Sequence, residues 1–189
     1  MIDYVGDLSR RDAELLCALA KRAERILEFG AGASTQIFAA YGRGGICCVE
    51  TDPAWIVKTR RNLARLEIEH RVAFHRFDAF RLSGSYDLVF VDGVDELRAH
   101  FAFLAWPALT VGGAMCFHDT RRTVPHGFSK TTDIQNALAV VERHSPEVDR
   151  MVLNQDDSNI TVVVKRAPLL VEDWNVVERR TPKQIGLEP

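Results

Sequence analysis

The sequence predicts an α/β protein: a doubly wound, mostly parallel sheet of seven strands that finishes in a C-terminal antiparallel hairpin. Three observations predict it. Short apolar runs alternate with helix-like stretches along most of the chain, which implies parallel strands joined by right-handed crossovers. The first apolar run, Arg25-Ile26-Leu27-Glu28-Phe29, stops at Gly30-Ala31-Gly32 and then turns into a helical pattern. Near the end the alternation changes, and two strand-like segments, Val148 to Leu153 and Asn159 to Val164, are joined by Gln155-Asp156-Asp157-Ser158, which reads as a hairpin.

Taken in order, Ser9 to Ala23 reads as an amphipathic helix, with Leu15, Leu16, Leu19 and Ala23 on one side and a Ser9-x-x-Asp12 start signal. The first strand and its glycine turn follow, with Ser34 or Thr35 placed to cap a helix reaching Tyr41. Gly45 to Glu50 is a second strand, and a helix from Pro53 to Leu66 is opened by its proline. His70 to Phe77 alternates as a more exposed third strand, whereas Tyr86 to Val91 is continuously apolar, the pattern of a strand buried on both faces. Glu96 to Leu109 is helix-like, Gly113 to Phe117 a further strand, and Thr132 to His144 a last helix. Residues 1–166 read as one domain and 167–189 as a tail that packs locally, around Trp174, or on a second subunit of a homodimer.

Composition narrows the class. A chain of 189 residues that is 47% hydrophobic suits a single core, and a net charge of -2 argues against a general polyanion binder such as a nucleic-acid protein. The start, Met1 to Asp7, carries acidic residues and no apolar signal core. The longest uncharged stretch, Phe101 to Phe117, is shorter than the ~20 residues of a membrane span and is broken by Pro107, Gly112 and Gly113. A cytoplasmic protein with no membrane partner is expected. Cys17, Cys47, Cys48 and Cys116 have neither zinc-site nor Cys-x-x-Cys spacing and read as reduced core thiols.

The glycine turn is where chemistry enters. Gly30 and Gly32 permit a bend tight enough for a ligand to lie on bare backbone, and the amides opening the next helix favour an anionic or electron-rich group. A dinucleotide turn would carry a third glycine at position 35, where Thr35 stands instead. Glu50, twenty residues after Gly30, ends the second strand where a carboxylate can accept both hydroxyls of a ribose. Together the two elements indicate an adenosine compound.

Glu28-Phe29-Gly30-Ala31-Gly32, Val49-Glu50-Thr51-Asp52, Phe77-Asp78-Ala79, Tyr86 to Gly93 and Gly112-Gly113-Ala114-Met115-Cys116-Phe117-His118-Asp119-Thr120 resemble, in order, the motifs of class I S-adenosylmethionine-dependent methyltransferases. The Val-Asp-Gly and Gly-Gly…His-Asp-Thr pieces are most similar to the small O-methyltransferase branch, and the likeness covers roughly residues 12 to 165. The resemblance implies that Glu28 and the turn Gly30-Ala31-Gly32 meet the amino-acid part of the cofactor, Glu50 its ribose and Asp78 the adenine amino group, with Ser34, Thr35, Thr51, Ala79 and Asp92 also in the cofactor site. The alternative for Asp78 is a loop cap.

Asp92 and His118-Asp119 fall at the ends of two strands that the fold makes neighbours, within a strand spacing of ~5 Å. Three roles stay open for them. They could hold a divalent cation such as Mg2+ that activates an acceptor hydroxyl, as in related metal-dependent O-methyltransferases, although His118 departs from the all-oxygen set. His118 could act as a general base oriented by a carboxylate, or it could merely hydrogen-bond across the strand end. Consecutive strand residues point to opposite faces, so His118 and Asp119 can converge only if the strand has ended. The basic segment Arg121 to Lys130 could grip an anionic acceptor or be an ordinary solvated loop, and Arg60-Arg61 reads as an exposed helix face.

The expected function is methyl transfer to an oxygen of a small polar metabolite. A same-fold enzyme for nitrogen or a macromolecule, and a non-catalytic cofactor-binding module, are the alternatives. Only about 25 residues precede the first strand, and Val94-Asp95-Glu96-Leu97 lacks the His-Ser-Tyr that often follows Asp-Gly in the nearest branch, which leaves the acceptor class open.

Overall fold

The computed structural model describes residues 1–120, 148–152 and 160–168. Within them, β1 (Arg25–Phe29), β2 (Gly45–Glu50), β3 (Val72–Arg76), β4 (Tyr86–Val91), β5 (Leu109–Phe117), β6 (Val148–Val152) and β7 (Thr161–Lys165) form one sheet in the order β3-β2-β1-β4-β5-β7-β6. The first five strands pair in parallel, and β7 runs antiparallel to both β5 and β6. The predicted seven-stranded, doubly wound sheet with its C-terminal antiparallel pair is the architecture observed. The predicted helix over 132–144, the basic segment 121–130, the connection 155–158 and the tail beyond 168 lie outside the described residues.

Among the described residues, α1 (Arg10–Ala20) precedes β1, while α2 (Ala33–Tyr41), α3 (Pro53–Arg65) and α4 (Arg98–Ala105) connect β1 to β2, β2 to β3 and β4 to β5. Ser9 caps α1, its hydroxyl accepting from the Asp12 amide at 3.0 Å. The buried face of α1 is Ala13, Leu16, Cys17 and Ala20, while Leu15 and Leu19 are only partly covered, so the apolar stripe is rotated from the expected one. Small side chains there let α1 lie close against α2. The helix-like stretch after Glu96 divides into a 3-10 turn, α4 and a second 3-10 turn at Trp106–Ala108, because Pro107 cannot continue an α-helical ladder. β5 begins four residues before the expected Gly113 and is irregular in its first half: Leu109 faces Tyr86, yet Ala114 already faces Leu88.

Strand parity divides the core. Leu27 and Phe29, Val89 and Val91, and Met115 and Phe117 face the α4 side with Phe101 and Trp106. Ile26, Cys48, Leu88, Phe90 and Cys116 face the α1–α2 side with Leu16, Ile37 and Phe38. Burial on both faces explains why the central strands read as unbroken apolar runs. On the α4 side, Phe101 stacks on Phe29 with centroids 4.6 Å apart and meets Phe77 edge-on at 5.1 Å. Among the described residues, no helix is long and apolar enough to cross a membrane, and all four cysteines are unpaired.

Phe101 is 2% exposed, so truncation removes both ring contacts and leaves a cavity the rigid sheet cannot close. Phe101→Ala is expected to cost about 3–5 kcal/mol in urea unfolding. A loss below about 1 kcal/mol contradicts this packing account.

Candidate active site

At the end of β1 the chain bends with Gly30 at φ +93, which L side chains rarely adopt. A Cβ there would also stand 2.5 Å from the Gly93 amide nitrogen, because the ends of β1 and β4 touch backbone to backbone. The amide of Gly30 donates to Val49 O and that of Asp92 to Phe29 O, both at 2.9 Å, so the bend is held by its two neighbouring strands. Neither Ser34 nor Thr35 is the N-cap of α2. That position belongs to Gly32, and Thr35 acts from within the first turn, its Oγ1 accepting from the Gly32 amide at 2.9 Å.

Parity then places the polar groups. Glu28 follows Ile26, Glu50 follows Cys48, Asp92 follows Phe90 and His118 follows Cys116, so all four leave the strand ends on the α1–α2 side. Glu50 ties the bend to β2: one carboxylate oxygen accepts from the Ala31 amide at 2.8 Å, the other from the Thr51 and Asp52 amides at 2.6 and 2.9 Å. Glu28 is fully buried beneath α2. Its Oε1 accepts from the Ser34 hydroxyl at 2.5 Å, while Oε2 has no hydrogen-bond partner. Burial pushes the Glu28 carboxyl up to about 8, against the opposing hydrogen bond from Ser34.

The register Val91↔Phe117 continues one step further, bringing Asp92 opposite His118, whose amide donates to Val91 O at 3.1 Å. His118 Nδ1 lies 3.3 Å from Asp92 Oδ2 and 3.8 Å from Asp119 Oδ1. Asp119 reaches the same side because the strand has ended and its φ is +58, the left-handed region in which aspartate is among the better tolerated residues. One ligand atom from each of the three lies within 4.8 Å of the others. A fourth group joins them. The buried guanidinium of Arg98, first residue of α4, donates from Nη2 to Asp92 Oδ1 at 2.6 Å and lies 3.7 Å from Asp119 Oδ2. Burial opposes ionisation of Asp92, but His118 and Arg98 prevail and hold its carboxyl below the usual range. For His118, burial works against the charged form, yet the hydrogen bond to Asp92 and the nearby carboxylates move its pKa upward.

A cavity of about 480 Å³ opens over this cluster, within the range of small-molecule sites. Gly30, Ala31, Gly32, Ser34, Glu50, Thr51, Asp92 and His118 line it, all anticipated from the sequence. Glu28, Thr35 and Asp119 are buried but are not among its lining residues. Asp78 and Ala79 do not line it either; Asp78 is solvent-exposed and pairs with Arg76. Sequence reasoning missed Val5 to Leu8, which are held over α2 by Gln36 through bonds to both the amide and the carbonyl of Val5, and also Trp55, Lys58 and Asn62 of α3. It missed Arg98 as well, although this is the one lysine or arginine between Arg81 and Arg121.

Residues 27–120 match a family model described as a methyltransferase domain. No curated protein matches the sequence. Similar solved structures include an O-methyltransferase of Streptomyces achromogenes involved in tomaymycin synthesis, in complex with SAM (TM-score 0.68, 18% identity, 85% of this chain and 82% of that one). An O-methyltransferase of Bacillus cereus in complex with SAH is similar at TM-score 0.70 and 19% identity, over 84% of this chain and 83% of that one. The N-methyltransferase NodS of Bradyrhizobium japonicum matches at TM-score 0.60 and 17% identity, over 84% and 96%. At these identities the likeness is one of fold.

The raised pKa of Glu28 makes a testable contribution to stability. A carboxyl that holds its proton more tightly when folded contributes stability that is lost as pH rises from the ordinary carboxylate range through about 8. Melting temperatures of the parent are therefore expected to fall relative to those of Glu28→Gln between pH about 5 and 9. Parallel curves contradict the assignment.

Proposed function

We propose that this chain, which carries a methyltransferase domain over residues 27–120, transfers a methyl group from S-adenosylmethionine to an oxygen of a small polar metabolite. The observation that carries this reading is the single cavity that the glycine bend, Glu50 and His118 line together. The residues present fit the cofactor. Gly32 has no atom within 4 Å of where a side chain would begin, so a ligand can approach its backbone. Glu50 and Thr51 stand at the end of β2 and line the same cavity.

Held by the glycine bend and Glu50, S-adenosylmethionine would supply a methyl group activated by its sulfonium, the departing thioether keeping the electron pair of the carbon–sulfur bond. His118 takes the hydroxyl proton in this reading, and Asp92 fixes its ring through Nδ1 and favours the imidazolium that results. The geometry of a buried histidine backed by a half-buried carboxylate supports that division of labour. Asp7, Lys58, Asn62 and Glu96 make much of the remaining lining polar, with Trp55 beside Lys58, which supports a hydrophilic acceptor of small size. Residues from four strand ends and α3 converge there, so the protein's contribution is chiefly alignment.

Calorimetry with S-adenosylmethionine is expected to show one site, weakened at least about tenfold in Glu50→Ala because four donors around that carboxylate lose their acceptor. With tritiated cofactor and a panel of hydroxylated small molecules, His118→Ala is expected to keep cofactor affinity within about threefold and lose transfer by about a hundredfold. Absence of binding, or a Glu50→Ala protein that binds like the parent, removes the proposal.

A further inference from the structure

We propose that the Arg98 guanidinium is the resident cation of the Asp92–His118–Asp119 cluster, so that these side chains work without a divalent metal. Arg98 is 3% exposed, so its charge is compensated by protein groups far more than by bulk water. Nη2 lies against Asp92 Oδ1 at 2.6 Å, against Asp119 Oδ2 at 3.7 Å and donates to Gly93 O at 3.2 Å, while Nη1 donates to His118 O at 2.9 Å. A cation that bridged the two carboxylates and His118 would sit beside a charge that does not titrate in proteins, where like-charge repulsion in a poorly screened setting is strong. The three side chains on their own have the composition of a metal site. With Arg98 among them, they do not fit one.

Arg98 is accordingly a positioning residue. It holds both carboxylates, as an ion would, and pins the ends of β4 and β5 together through two carbonyls. Guanidinium has donors only and no open coordination position, so it cannot bind and acidify an acceptor hydroxyl as a metal does. Proton removal is thereby left to His118. This deepens the proposed methyl transfer and rests on it for the reaction served, whereas cation binding is read without cofactor or acceptor, so the two fail separately.

The probe is Mn2+ alone, titrated into the full chain and followed by electron paramagnetic resonance. The parent is expected to show no saturable site tighter than millimolar. Arg98→Met is expected to take up one Mn2+ per chain, at least about tenfold tighter than the parent, and to lose it again when Asp119→Asn is added. Arg98→Lys, which restores a cation, is expected to remain without metal. Should circular dichroism show Arg98→Met unfolded, the parent titration decides alone. One Mn2+ bound by the parent and lost in Asp92→Asn overturns the proposal, as does a folded Arg98→Met that gains none.

Discussion

The site depends on two backbones meeting where β1 and β4 end. Gly30 and Gly93 lie so close that a methyl group on the first would fall 2.5 Å from the amide nitrogen of the second. Because that contact is made without side chains, the bend after Phe29 and the Asp92 carboxylate become parts of one surface. The Gly30 and Asp92 amides bond to Val49 and Phe29 carbonyls, extending the ladders just past the last regular residues. A bend secured in this way can present bare backbone to a ligand without moving when the ligand arrives, which is the condition for alignment to lower a barrier.

Parity turns this contact into chemistry. Phe29, Val91 and Phe117 point toward α4 and are fully buried, so each following polar residue emerges on the opposite side or at the open end. Glu28, Glu50, Asp92 and His118 are thus gathered by the same two-residue period that sorts the apolar core, and any one-residue slip in register would scatter them. The cluster also meets the cost of burying charge. Asp92 and Asp119 share a guanidinium, Glu50 accepts from three amides and a hydroxyl, and Glu28, which lacks a cationic partner among the described contacts, has its carboxyl shifted toward the neutral form.

Much of this was legible in the chain. Two glycines after an apolar run, a carboxylate twenty residues on, and Val-Asp-Gly followed by Gly-Gly and His-Asp placed the sheet, the turn and eight of the cavity's lining residues. What escaped has physical reasons. Arg98 opens a helix of otherwise apolar and histidine residues, and nothing in its spacing tells a buried partner of carboxylates from a solvated side chain. Val5 to Leu8 follow no period because they are held by Gln36 rather than by a sheet or helix of their own. The α1 stripe was misplaced because leucines outweigh alanines in a hydrophobicity count, whereas close helix packing selects the small side chains.

In the function proposed above, the glycine bend and Glu50 form the cofactor cradle and the His118–Asp92 pair stands beside it. The most direct measurement is a crystal structure of the chain with S-adenosylhomocysteine. The account predicts the ligand in the cavity, its amino-acid end over Gly30 to Gly32 and its ribose hydroxyls on Glu50. Ligand density elsewhere, with Glu50 still bonded only to the Ala31, Thr51 and Asp52 amides and the Thr51 hydroxyl, contradicts it.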